Sequence, residues 1–355
     1  MLAFILVLVG AVAGCASPVA EKRLPQAEAT ASRFEYARVV MGSRARIVLY
    51  ADREPDAAHA AREAFREMDR LNMVLSDYTD ASEAMRICAA PHATECPISA
   101  DLLDVLQKSR LVHRASAGAF DPTLGALTQL WRASFKSNQL PSLEARDEAR
   151  ARSGFHRITL DPESSTVELL VPGLRFDFGA IGKGYAADRA LRTLGSLGFT
   201  RALVDIGGDM AIGDPPPGAA GWRIGATDDR TDHPRTLVLA NTGLATSGDR
   251  YRSITLDGVR YSHILDPRTG LGLRSAHAVT VVAPQAWLAD ALASAASVLG
   301  PADSARLTER WPDAEFIWFA PQAERPEGDA TPPPDRADHP PASRADTRSD
   351  ASPGP

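Results

Sequence analysis

The residues best suited to chemistry lie in RFDFGAIGKGYAAD, residues 175–188. The alternating apolar residues ending at Phe178 predict a strand, Gly179, Gly182 and Gly184 predict a turn, and the Ala-rich continuation predicts a helix. A helix N-terminus presents unpaired N–H groups and the positive end of the peptide dipoles, and so attracts phosphate. Lys183 adds a positive charge in the turn. Asp177, just before it, could hold a metal, a ribose or a polar ring edge. The spacing is not that of a Walker A loop, whose first glycine would fall on Asp177, and the chain contains no GxGxxG. A plain strand–turn–helix with glycines for tight packing would read the same way.

Three further stretches carry candidate groups. YSHILDPRTG, residues 261–270, places His263 three residues before an Asp-Pro turn. Histidine is suited to proton transfer near neutral pH, although a lone histidine is as readily structural. ADALASA, residues 289–295, places Asp290 and Ser294 at i and i+4 on one face of an otherwise apolar helix. A carboxylate there needs a partner: a hard cation such as Mg²⁺, a salt bridge, or solvent. GAFDPT, residues 118–123, ends a helix at Gly118, turns at Pro122 and points Asp121 out from the turn; a plain C-cap and turn would read the same way. In LSDY, residues 75–78, Tyr78 either stacks on a ring or finishes a helix.

The elements that must position these groups are legible in part. Phe65, Met68, Leu71 and Leu75 recur at helical spacing over residues 57–75, and Ser99 can cap a second helix carrying Leu102, Val105, Leu106 and Val112. HRITL, TVELLV, LRFDF, RALVDI, WRIGAT, RTLVLA and HAVTVVA read as strands, and Asp257-Gly258 reads as a hairpin turn. A last helix, AWLADALASAASVLG, follows the final strand run. The order is α+β, with hairpins and crossovers both present.

Composition sets the frame. Of 355 residues, 44% are apolar and 24% charged, as in a soluble globular protein, and a net charge of −6 without a basic stripe argues against nucleic acid as a partner. Residues 1–14 are apolar and end before Cys15 in VAGC, which resembles the lipobox of bacterial lipoproteins; an ordinary signal peptide or short anchor is the other reading. Residues 15–33 read as a tether, 34–320 as the folded body, and 321–355, rich in Pro and Asp, as a disordered tail. Outside the cytoplasm Cys88 and Cys96 could pair, or both could be free thiols.

Taken together and in order, MGS at 41–43, LSDY, GAFDPT, RFDFGAIGKGYAAD, DIGGDM at 205–210, TSGDR at 246–250, SHILDPRTG and ADALASA resemble the ApbE family of flavin transferases over about residues 36–320. The resemblance implies a single α+β domain of mixed sheets with packed helices, related to the T-fold. It implies Mg²⁺-dependent transfer of FMN from FAD to a Thr or Ser hydroxyl of a target protein, with AMP released. Matched by motif, Met41, Tyr78, Ala119, Phe120, Asp121, Asp177, Lys183 and Leu265 would contact FAD. The backbone oxygen of Ala180 and the side chains of Asp290 and Ser294 would hold the metal. His263 is the candidate base. Ser294 stands where the family has Thr, and Ala293 stands where some members have a second acidic ligand. The implied partner is an acceptor flavoprotein subunit of a membrane redox complex. The implied location is a bacterial membrane, lipid-anchored through Cys15 and facing the periplasm. A metal-dependent FAD pyrophosphatase and a non-catalytic flavin-binding lipoprotein are the alternatives.

Overall fold

Two nine-residue strands, β1 (Ser32–Val40) and β2 (Ser43–Ala51), pair antiparallel across Met41 and Gly42, both left-handed at φ 51° and 67°. That geometry matches the twist of a tight hairpin. The computed structural model describes residues 31–226, 235–248, 253–274 and 277–319. Cys15, the tether up to residue 30, residue 320 at the end of the expected body and the tail 321–355 lie outside the described residues.

The first helical layer follows. Helix α1 (Glu54–Leu75) starts three residues earlier than its apolar periodicity, because Pro55 is accommodated in its first turn. It is followed by α2 (Glu83–Ala89), β3 (Glu95–Pro97) and α3 (Ala100–Ala115). Ser99 caps α3 as expected, its Oγ accepting from Leu102 N. The chain leaves α3 through Ala117 and Gly118, both with positive φ. Two helices with no counterpart among the sequence expectations come next, α4 (Gly125–Ser137) and α5 (Leu143–Ala151). Then β4 (Ile158–Asp161) and β5 (Thr166–Leu169) form a small antiparallel sheet with β3.

The expected strand at LRFDF does not join a sheet. Leu174, Phe176 and Phe178 are buried and alternate with part-exposed Arg175 and Asp177, so the strand-like period is real. The segment's partner is the turn at 122–125, through Asp177 N to Pro122 O (2.7 Å) and Gly125 N to Arg175 O (3.0 Å), with a single parallel bridge between Leu124 and Arg175.

Helix α6 (Gly182–Ser196) leads into the hairpin β6 (Ala202–Ile206) and β7 (Asp209–Ile212). The pair β8 (Trp222–Ala226) and β9 (Arg235–Leu239) precedes β10 (Thr242–Ser247). The predicted hairpin at Asp257-Gly258 is formed by β11 (Ser253–Leu256) and β12 (Val259–Ser262), with both turn residues at positive φ. A two-residue pair, β13 (Leu265–Asp266) and β14 (Leu271–Gly272), flanks the DPRTG turn. The chain closes with β15 (Ala278–Ala283), α7 (Ala286–Asp303, broken at Gly300), α8 (Ala305–Arg310) and β16 (Glu315–Phe319).

Seven strands make the main sheet, in the order β1-β2-β6-β7-β10-β15-β16, each neighbour antiparallel. Helix α6 packs against α1 and α7, and all three lie against the main sheet, α1 on β1 and β2. Met68 and Leu71 of α1, Leu194 of α6 and Leu292 of α7 share one apolar core with Ile47, Leu49, Val204 and Ile206. Among the described residues no helix is long and apolar enough to cross a membrane. The two described cysteines do not form a disulfide: Cys88 turns its sulfur to Phe176 N (3.3 Å), and burial pushes the thiol up to about 11, whereas Cys96 faces Thr94 O on β3.

Candidate active site

The GAIGKGYAAD stretch forms the turn into α6 and its N-terminal half, and each of its polar residues grips a different neighbour. Gly184 lies so close to the start of α7 that a Cβ there would overlap the carbonyl of Ala286 and come within 2.9 Å of Asp290 Cβ. Only glycine lets the two helices meet at this distance. Tyr185 Oη donates to Asp101 Oδ1 on α3 (3.0 Å). Asp188 accepts from the first amides of α7, Ala286 N (2.9 Å) and Trp287 N (2.8 Å). Burial raises this carboxyl to about 6, against the pull of those two amides. The N-cap residue of α6, Ile181, offers no side-chain hydrogen bond to its first amides.

Two buried carboxylates face the start of α6. Asp209, from DIGGDM, pairs with Lys183, and burial raises its pKa against the pull of that lysine. Asp290 is 5% exposed, and its Oδ2 accepts from Gly184 N (3.0 Å). Burial and the Asp209 carboxylate push Asp290 up to about 7, while Lys183 pulls it back. Lys183 thus acts on both carboxylates, and burial still holds each above the usual carboxylate range. A divalent cation suits such a place. Among the described residues no three His, Cys, Asp or Glu side chains cluster as metal ligands. A metal here would therefore draw on no more than two such side chains and on neutral oxygens, a set with which Asp290, part-exposed Ser294 and the Ala180 carbonyl are compatible.

A second constellation surrounds Arg132 of α4. Its Nη1 donates to Asp77 Oδ2 (2.6 Å), Nη2 lies 3.9 Å from Asp177 Oδ2, and the guanidinium sits 4.3 Å from the centre of the Tyr78 ring. LSDY and RFDFG are thereby joined at one point. Burial and the Asp177 charge raise Asp77, and Arg132 offsets them. Tyr78 is 78% exposed, so its ring remains accessible. The residue before Arg132 reaches elsewhere: Trp131 Nε1 donates to Ser262 O (3.0 Å), pinning the chain next to His263. His263 is exposed, and Leu265 is part-exposed at the start of β13. Asp266 braces the turn through Arg268 N (2.9 Å) and the Arg268 guanidinium.

The remaining expected contacts sit on turns near these elements. Met41 is part-buried in the β1–β2 turn, and the start of β2 just after it touches the DIGGDM turn through Gly207 N to Arg44 O (3.0 Å). In GAFDPT, Asp121 is turned inward rather than outward: Oδ1 accepts from Thr123 N (2.8 Å) and Oγ1, and Oδ2 accepts from Phe155 N (3.1 Å). Phe120 is buried in the core, and Ala119 is part-exposed. Asp177 Oδ1 accepts from Gly179 N (2.8 Å), shaping the turn into α6. Sequence reasoning passed over four side chains. Asp77, Asp188 and Asp209 lay inside quoted motifs and carried a signal, whereas Arg132 lay in none.

The family model described as the ApbE family matches residues 41–318. The chain belongs to the ApbE family. One ApbE relative, the FAD:protein FMN transferase of Treponema pallidum (strain Nichols), is 32% identical over 306 residues, 81% of this chain and 84% of that protein. The FAD:protein FMN transferase of Chlamydia trachomatis serovar D is 34% identical over 255 residues, 70% and 79% of the two chains. Among solved structures, the apo form of the flavinyl transferase ApbE from Pseudomonas stutzeri superposes with a TM-score of 0.72 at 30% identity, covering 82% of this chain and 92% of that one. The α+β ApbE architecture expected from the motifs is the one observed.

Proposed function

We propose that this protein is an FAD:protein FMN transferase that moves FMN from FAD to a Thr or Ser hydroxyl of an acceptor protein and releases AMP, with Mg²⁺ as its metal. The observation that carries the reading is the buried Asp290 carboxylate, held by Gly184 N in the first turn of α6 beside the Lys183–Asp209 pair. Asp290, Ser294 and the Ala180 carbonyl would hold the metal. Bound there, Mg²⁺ would supply positive charge to the pyrophosphate oxygens and to the leaving phosphate. Lys183 and the N-terminus of α6 bind the phosphates. Met41, Tyr78, Ala119, Phe120, Asp121, Asp177 and Leu265 line the flavin, with Arg132 holding Tyr78 and Asp177 in place.

His263 accepts the proton of the acceptor hydroxyl. The hydroxyl oxygen then bonds to the FMN phosphorus as the phosphorus–oxygen bond to AMP breaks, and the bonding pair departs with AMP. The exposure of His263 favours a protein acceptor, because a folded partner can present its hydroxyl there without entering the fold. We assign the acceptor to a subunit of a membrane redox complex, met at the periplasmic face by an enzyme tethered through lipidated Cys15. Incubation with FAD, Mg²⁺ and such a subunit, followed by mass spectrometry, tests the assignment. An acceptor gaining FMN, with one AMP per adduct, supports transfer. Free FMN and AMP without adduct indicate a pyrophosphatase, and intact FAD indicates a binding protein.

A further inference from the structure

A cleft away from the candidate active site lies between the C-terminal half of α3 and the start of the small sheet. It is lined by Arg110, His113, Arg114, Phe155, His156, Ile158 and Leu160, and encloses about 370 Å³. Its charge is one-sided, since no Asp or Glu lines it in a chain whose net charge is −6. Arg110 and Arg114 stand at i and i+4 on one helical face, where like charges repel and lower helix stability. Neither guanidinium makes an ion pair or side-chain hydrogen bond among the described residues, nor does the exposed His156 imidazole. Asp121, the carboxylate that approaches His113 (3.6 Å), is buried and already accepts from Thr123 and Phe155. The floor is apolar, with the Phe155 ring 5.2 Å from that of His113.

We propose that this cleft binds a small phosphate monoester carrying an aromatic or apolar group. Paired guanidiniums suit a phosphate dianion, and the Phe155–Ile158–Leu160 floor suits the attached group. The cleft backs onto the loop expected to contact FAD. His113 Nδ1 donates to Phe120 O (2.9 Å), and Phe155 N donates to Asp121 Oδ2 (3.1 Å). A ligand that moves His113 or Phe155 therefore shifts Phe120 and Asp121, so occupancy of the cleft and binding of FAD are coupled. This coupling, unlike the binding itself, rests on the flavin reading above.

Calorimetric titration of the full chain with inorganic phosphate and with phenyl phosphate tests binding. Phenyl phosphate should bind roughly tenfold more tightly than inorganic phosphate, the gain from burying part of one ring. The double variant Arg110→Gln, Arg114→Gln should weaken both by at least about tenfold, the loss expected for charge-assisted bonds. Lys183→Met should keep the binding event that the double variant loses, and at most remove a separate event at the flavin phosphates. No binding, or binding lost in Lys183→Met but kept in the double variant, overturns the cleft, the latter because the anion then sits at the flavin phosphates. FAD affinity, read by flavin fluorescence with and without saturating phenyl phosphate, tests coupling. It should change at least about threefold in the wild type and not in the double variant, and an equal FAD affinity with and without the ligand overturns the coupling while leaving the binding result to stand or fall alone.

Discussion

Asp290→Asn should make the metal-free protein more stable at pH 8, not less. Burial and Asp209 raise the folded-state pKa of Asp290 from 3.8 to about 7. The folded chain therefore holds this proton more tightly than the unfolded chain, and stability falls as pH rises between about 4 and 7. Above that window the carboxylate is ionised in both states, and the destabilisation is complete, at about 4 kcal/mol. Asparagine keeps an oxygen for Gly184 N and removes the charge. With EDTA at pH 8, the variant should melt several degrees above the wild type, at about 2 °C per kcal/mol for a body of this size. The gap should be less than half as large at pH 5 and should close below about pH 4. Adding Mg²⁺ at pH 8 should raise the wild-type melting temperature and leave the variant unmoved, because a ligand stabilises only the state that binds it. FMN transfer should be lost in the variant. Differential scanning fluorimetry at the two pH values, with EDTA or Mg²⁺, gives every comparison. A variant that melts below the wild type at pH 8 in EDTA, or that gains as much from Mg²⁺, would refute the argument that Asp290 is a strained carboxylate awaiting a cation.

His263→Ala should bind FAD with near-normal affinity by flavin fluorescence yet transfer FMN ~10²-fold more slowly, and the low-pH fall in wild-type rate should be missing from it. Equal loss of FAD binding and of folding would remove His263 from the proton transfer. Arg132→Ala leaves Asp77 and Asp177 without the guanidinium between them, so FAD affinity should fall at least about tenfold while the melting temperature drops only slightly; unchanged affinity would show that the cluster lies off the flavin. Cys15→Ser should abolish incorporation of labelled palmitate in cells, and wild-type labelling would exclude the lipobox. Truncation after Gln322 should leave activity and melting temperature unchanged, and a loss above ~1 kcal/mol would show that the tail packs on the body.

What could be read from the sequence, and what could not, follows from the range of the forces involved. The helix from Ser99, the hairpin at Asp257-Gly258 and the helix bearing Asp290 are set by caps, turn residues and apolar period, all within a few residues of chain. LRFDF had the period of a strand but not its fate, because period reports which side chains are buried and not which backbone lies alongside. Its neighbour is a turn some fifty residues earlier, through Asp177 N and Gly125 N. Asp121 misled for a related reason: a Pro-turn carboxylate looks outward-facing until the distant Phe155 amide is seen to claim it. Arg132 could not be found at all. It lies on a helix whose signals went unread and in no motif, and its partners are 55 residues before it and 45 after it. Yet α4 links the two halves of the site. Trp131 pins the chain beside His263 through Ser262 O, and Arg132 gathers Asp77, Tyr78 and Asp177. Adjacent residues on a helix point about 100° apart, so one rigid turn can hold two separate turns of chain in fixed relation. The proposed transfer between a flavin phosphate and an incoming hydroxyl would need that rigidity, since misplacing a catalytic group by about 1 Å can lower a rate ~10²-fold.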